Sequence, residues 1–366
     1  MENILKTNIK DNKFLKPVKL TNLMILIGLS IILVVSAVWA IAIGSVKIPT
    51  AEVYKVIIYK LFKPEGLKSV LDGPFIDIIW EIRLPRVLLG VVVGMGLALG
   101  GVVMQATVQN PLADPYILGI SSGATLGATF FILIGANISI GIFQSLGLAF
   151  WGFAGALLAA ILVFKLSSMG GKITSIKLVL SGMVVNLICS AFSSLMIYLT
   201  NNNSAVRSIG EWTMGSLTGG KWDNLWIPTI IVLLMVVFFL CQCRVMNTML
   251  LGDEVAITLG IDLNNYRKLY MVMVSVLTGV LVASCGIVGF IGLVIPHITR
   301  SLVGSNHKNN LPVAILSGGI FLVWADVVAR IILKNMEMPI GIITSVIGAP
   351  FFIYIIINRA YSFGEG

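Results

Sequence analysis

From Val87 to Thr107 the chain runs for 21 residues without a charge, and this run constrains the fold more than any other feature. At 1.5 Å per residue a helix of that length crosses a hydrocarbon core of about 30 Å. It contains Gly90, Gly94, Gly96, Gly100 and Gly101, which would weaken a helix in water. In lipid, van der Waals packing replaces the hydrophobic drive, and small residues let neighbouring helices approach closely. The segment from Gln109 to Pro115 follows. Its two prolines stop the helix, and Asn110 and Asp114 favour a turn. A second apolar stretch rich in small residues comes next. The block from Arg83 to Ala128 therefore predicts a transmembrane helical hairpin. Packing accounts for the glycines but leaves Arg83 and Arg86, at its mouth, without a role.

The rest of the chain belongs to the same class. It is 57% apolar, 11% charged and has a mean hydropathy of +1.00, which no soluble domain of 366 residues needs. The expected fold class is an all-α integral membrane protein. The net charge of +9 is read as the lysine and arginine excess that orients membrane helices. With no basic patch interleaved with aromatics, a nucleic-acid partner is not expected. Cys189, Cys241, Cys243 and Cys285 lie in or beside apolar spans and read as small buried apolar residues, not as a metal set.

About ten spans are expected, near 23–43, 87–107, 116–136, 147–166, 178–199, 225–242, 269–287, 288–304, 311–329 and 340–358. Residues 1–22 form a lysine-rich cytoplasmic lead, 23–360 one polytopic domain and 361–366 a cytoplasmic tail. A cleaved signal peptide is the competing reading of the start, but the first apolar run is long for one, which favours an uncleaved helix. With the N-terminus inside, cytoplasmic segments hold 14 of the 25 lysines and arginines and the outside holds 11. Seven of those 11 lie in the outer loop 44–86. Setting that loop aside gives 14 to 4, which predicts a multi-pass protein of the cytoplasmic membrane with both termini inside. Within the loop, Thr50–Phe62 reads as a short amphipathic helix at the outer interface.

The segment 243–268 on the cytoplasmic side is more than a minimal turn. Asp253 and Glu254 open a short helical run, Gly260 ends it, and Leu263 to Tyr266 start another. The pattern predicts a polar, structured elbow, either an interfacial helix with a solvated face or a docking surface for a cytoplasmic partner.

Four blocks in this order and spacing are familiar: Arg83-Leu84-Pro85-Arg86 with its hairpin and NPLADPYILGISSGA; LGDEVAITLGID in the elbow; GIVGFIGLVIPHITR at 286–300; and EMPIGIITSVIGAPFF at 337–352. Through them the chain, from about residue 23 to 360, resembles the FecCD family, permease subunits of iron-siderophore, haem and cobalamin ABC importers. The resemblance implies a type II ABC importer permease fold. It implies a second permease copy or paralogue that completes the pathway, an extracytoplasmic substrate-binding protein, and ABC ATPase subunits that carry ATP and magnesium. It assigns binding-protein docking to Arg83, Arg86 and Arg330, whose fork suits a carboxylate. For Arg330 an i,i+4 pair with Asp326 is the alternative. It assigns the ATPase contact to Leu251, Gly252, Asp253, Glu254, Ala256, Leu259 and Gly260, and a cytoplasmic gate to Thr174, Ser175 and Ile176. Glu337 is expected to favour the start of the last span through the helix dipole, or to meet a ligand.

The expected function is a transport permease, not an enzyme, that moves a ferric siderophore; haem or cobalamin are alternative cargoes. No G-x-x-x-x-G-K-S/T loop occurs in the sequence, so energy is expected from the partner ATPase. An ion-coupled secondary transporter would want acids at mid-membrane depth, and the span centres hold essentially none. An intramembrane enzyme would want a nucleophile and base, paired carboxylates or H-E-x-x-H, which are not found.

Overall fold

A computed structural model describes residues 18–44, 46–64, 75–135, 147–169, 174–334 and 336–358. Most of the lysine-rich lead and the tail 361–366 lie outside the described residues.

The described residues carry seven helices long and apolar enough to cross a membrane, and three shorter apolar helices. The long ones are α1 (Val18–Ala42), α3 (Leu84–Val108), α5 (Gly147–Ser168), α6 (Ser175–Leu199), α8 (Trp222–Cys241), α11 (Leu263–Cys285) and α13 (His307–Ile331). The short ones are α4 (Ile120–Leu133), α12 (Ile291–Val303) and α14 (Ile340–Asn358). These ten match the ten spans expected. Four smaller helices connect them: α2 (Thr50–Phe62), α7 (Asn203–Thr213), α9 (Cys243–Met249) and α10 (Asp253–Thr258). Helices α7 and α9 are additions to the expected elements. A separate turn of π-helix, Ile78–Arg83, runs directly into α3.

Helix α3 is the axis of the molecule. Most of its residues are buried, whereas α1, α5, α6 and α8 present large apolar side chains outward. Two of the glycines explain how neighbours reach it. A Cβ on Gly94 would lie 2.2 Å from the Gly318 carbonyl oxygen of α13, and one on Gly101 would lie 2.0 Å from that of Gly292 in α12. Backbone meets backbone at both crossings, which is the packing that lipid-embedded helices favour.

The molecule has two polar ends. Helix α3 starts at one, with Arg83 and Arg86, and finishes at the other, where Gln109 takes a left-handed conformation (φ 54°) that closes the helix. At 1.5 Å per residue its 25 residues separate the arginine end from the elbow end by about 37 Å.

The expected boundaries shift in one region. The span 116–136 becomes a 3₁₀ turn, Pro115–Leu118, followed by α4. Gly119, at φ +68°, separates the two.

Candidate functional site

At the arginine end, three guanidiniums converge on two carboxylates and one helix terminus. Arg83 ends the π turn and Arg86 follows three residues later, so both face the same way. Arg83 Nη1 donates to the carbonyls of Ile41 at 2.7 Å and Ala42 at 3.2 Å, and Nη2 donates to that of Val46 at 2.6 Å. Arg330 Nη2 donates to the Ala40 carbonyl and Nη1 to that of Ile43, both at 2.9 Å. The last carbonyls of a helix have no partner within it, and here two arginines supply partners for those at the end of α1. Cations also suit the negative end of the helix dipole.

Arg86 joins α3 to α13 and to the approach of α14. Its Nε and Nη2 donate to Asp326 Oδ1 at 3.0 and 2.9 Å, and its Nη1 donates to both oxygens of Glu337 at 3.1 and 2.8 Å. Arg330 Nε lies 3.0 Å from Asp326 Oδ2, the i,i+4 pair the sequence allowed. One buried carboxylate therefore stands between two arginines. The arginines are 6–8% exposed, whereas the Glu337 side chain is 48% exposed. The resemblance assigns these arginines to binding-protein docking; in this chain alone they are enclosed, because the end of α1 supplies carbonyls and α13 supplies Asp326. Glu337, expected to favour the helix dipole or to meet a ligand, precedes α14 and accepts from Arg86 with both carboxylate oxygens.

At the elbow end, α9 leads through Leu250 and Leu251 to α10. Gly252 at φ +93° and Gly260 at φ +72° bracket α10, in the left-handed region that favours glycine. Ala256 is buried, while Leu251 and Leu259 are about 60% exposed. Asp253 and Glu254 open α10; their side chains lie outside what is described. The two feet of the elbow are both held by the end of α3. Gln109 Nε2 donates to the Met249 carbonyl at 2.5 Å, and Arg267 Nε donates to that of Thr107 at 3.1 Å. An exposed pair of leucines thus projects from a turn fixed on both sides.

Thr174 is the N-cap of α6, accepting from the Lys177 backbone N–H at 3.3 Å, and Ile176 is exposed. Ser175 starts α6. They belong to the elbow end: Leu178 and Phe164 share a cavity of about 100 Å³ with Met271 and Val272, from the first half of α11.

Between the ends, backbone without helical pairing is satisfied by side chains and by other loops. The Tyr116 hydroxyl donates to the Val288 carbonyl at 3.1 Å and accepts from its N–H at 3.3 Å. Ser216 N–H donates to Cys285, Ile340 N–H to Gly215 and Gly341 N–H to Met214. Irregular backbone inside a membrane protein is tolerated where protein buries it or it lines a water-filled cavity. In the connection between α3 and α4, Asp114 caps the 3₁₀ turn by accepting from Tyr116 N–H at 2.9 Å. One helix face is conspicuously polar: Asn186, Ser190 and Ser194 are exposed on α6 at four-residue spacing, so they form one stripe.

Comparison with known proteins agrees in extent. A sequence profile of the FecCD transport family matches residues 32–358. The chain is 40% identical over 282 residues to the cobalamin import system permease protein BtuC of Halobacterium salinarum, covering 77% of this chain and 74% of that one. It is 37% identical over 285 residues to the hemin transport system permease protein HmuU of Yersinia pestis, covering 77% and 84%. Among solved structures, an inward-facing conformation assigned to a metal-chelate type ABC transporter superposes with a TM-score of 0.77. It is 31% identical and covers 92% of this chain and 100% of its own.

Proposed function

Because this chain belongs to the FecCD transport family, whose members are ABC importer permeases of the multi-pass membrane type, we propose that it carries a ferric siderophore inward. The elbow is the observation that carries the mechanism. Leu251 and Leu259 project from a turn held between two left-handed glycines, and both feet of that turn are tied to α3. A projection of that kind suits a groove on an ATPase subunit, where Leu251, Gly252, Asp253, Glu254, Ala256, Leu259 and Gly260 make the contact. ATP and magnesium reside on that subunit, and its closure moves the elbow. This orientation puts the N- and C-termini inside and the arginine end outside.

The polar stripe of α6 supports a second permease copy or paralogue. Asn186, Ser190 and Ser194 at the lipid surface would be costly, so a pathway between two permeases is their fitting environment. Thr174, Ser175 and Ile176 stand at the elbow end of that helix as the gate. At the arginine end, a binding protein's carboxylate meets Arg86 by exchanging with the exposed Glu337. Arg83 and Arg330 hold the α1 terminus beneath that contact.

Cobalamin or haem is the second cargo reading, suggested by the names of two relatives, whereas the metal-chelate type neighbour suits the first. The test is uptake by a deletion strain, with and without this chain, of labelled ferric hydroxamate, ferric catecholate, haem and cobalamin. Restored uptake of one ferric siderophore supports the proposal. Restored uptake of cobalamin or haem alone replaces the cargo, and no restored uptake of any of the four overturns it.

A further inference from the structure

The end of α3 holds both feet of the elbow, and the start of α13 holds α9 from the other side. Asn247, on α9, accepts from the His307 backbone N–H through Oδ1 at 2.9 Å, and the same oxygen lies 2.8 Å from His307 Nδ1. Its Nδ2 donates to Asn306 Oδ1 at 3.0 Å. Asn306 is itself the N-cap of α13, accepting from Lys308 N–H at 3.0 Å. A carboxamide is needed for this, because it offers an acceptor and a donor on one short stem. Helix α9 is thus pinned to α13 by Asn247 and to α3 by Gln109.

The two helices that grip α9 behave as one post. Their backbones touch at Gly94 and Gly318, and Arg86 and Asp326 join them again at the far end. Close-packed helices transmit a displacement and do not absorb it.

We propose that Asn247 is a positioning residue for transport: through His307 and Asn306 it passes the movement of the elbow into the α3/α13 post and so to the Arg86–Glu337 contact. The proposal rests on the elbow being the ATPase contact. A residue that merely capped α13 would change stability and nothing else. Loss of a residue that transmits movement leaves the elbow moving while the far end stays still.

The experiment uses the full chain assembled with its ATPase in lipid nanodiscs, in a Cys241→Ser background, since Cys241 is exposed and the other three cysteines are buried. One spin-label pair, at Met169 and Arg244, reports the elbow end; a second, at Tyr198 and Ile331, reports the arginine end. All four positions are exposed and none is among the residues given to the ATPase contact. Distances are measured without nucleotide and with ATP and vanadate. In the native chain both pairs shift. In Asn247→Ala the elbow pair shifts and the arginine-end pair keeps its nucleotide-free distance. Asn247→Asp, which keeps the acceptor for His307 but sets an oxygen against Asn306 Oδ1, restores the second shift only in part. A native response of both pairs in Asn247→Ala overturns the proposal. If neither pair moves in the native chain, the elbow reading falls and this inference with it. Should Asn247→Ala fail to assemble, Gln109→Ala opens the other grip and is expected to lose the same second shift; a native response there also counts against the post.

Discussion

Arg83 closes a helix that ended 41 residues earlier: its guanidinium donates to the Ile41 and Ala42 carbonyls at the end of α1. Replacing it with Met leaves buried carbonyls without partners, at a cost of about 1–3 kcal/mol. Arg83→Met is therefore expected to lower the thermal midpoint in detergent and to expose a cysteine placed at Ala40, which is 1% exposed now. Gly44→Val should act in the same direction, since a Cβ there would lie 2.7 Å from Arg83 Nη2. An unchanged midpoint in Arg83→Met would show that the end of α1 finds other partners.

Asp326 stands between Arg86 and Arg330. Asp326→Ala leaves two enclosed guanidiniums without their shared carboxylate and is expected to cost about 3–5 kcal/mol. Asp326→Asn keeps an acceptor for Arg86 and should cost clearly less. Equal losses, read as thermal midpoints of the two variants, would mean that charge is all that matters at this position.

Gly101→Ala puts a methyl within 2.0 Å of the Gly292 carbonyl and must push α12 away from α3. Overpacking of this kind costs about 1–3 kcal/mol. Gly28→Ala, on α1 with nothing within 4 Å, should be neutral or slightly stabilising through helix propensity. Comparing the yields of folded protein for the two variants checks the prediction.

Gly252 holds φ +93°, and a side chain there strains the turn by about 1–3 kcal/mol. Gly252→Leu is expected to fold and reach the membrane, yet to lose the ATPase in a pull-down or hydrolyse ATP without uptake. Normal coupled uptake in that variant would remove the elbow from the mechanism.

The ten spans and the elbow helix at Asp253–Thr258 were legible because apolar runs, glycines and the Gly252 and Gly260 breaks are local signals. The arginine network was legible only in part. The Arg330–Asp326 pair has i,i+4 spacing. Nothing near Arg83 or Arg86 in the sequence points to Ile41, Val46 or Glu337, because an open helix end acquires partners only when the chain folds. Loop charge counting treats such arginines as solvated, and so misses their enclosure. Asn247 and His307 were unreadable for the same reason: each is an ordinary polar residue until α9 and α13 meet.

The stripe of Asn186, Ser190 and Ser194 has a consequence for the life of the chain before assembly. A newly inserted copy, alone in the bilayer, presents a row of hydrogen-bonding groups to a solvent that can answer none of them. Its residence in that form is limited by how soon another permease covers the row. Expressed in excess over its partners, the chain should be short-lived, and its cellular abundance should follow theirs instead of its own rate of synthesis.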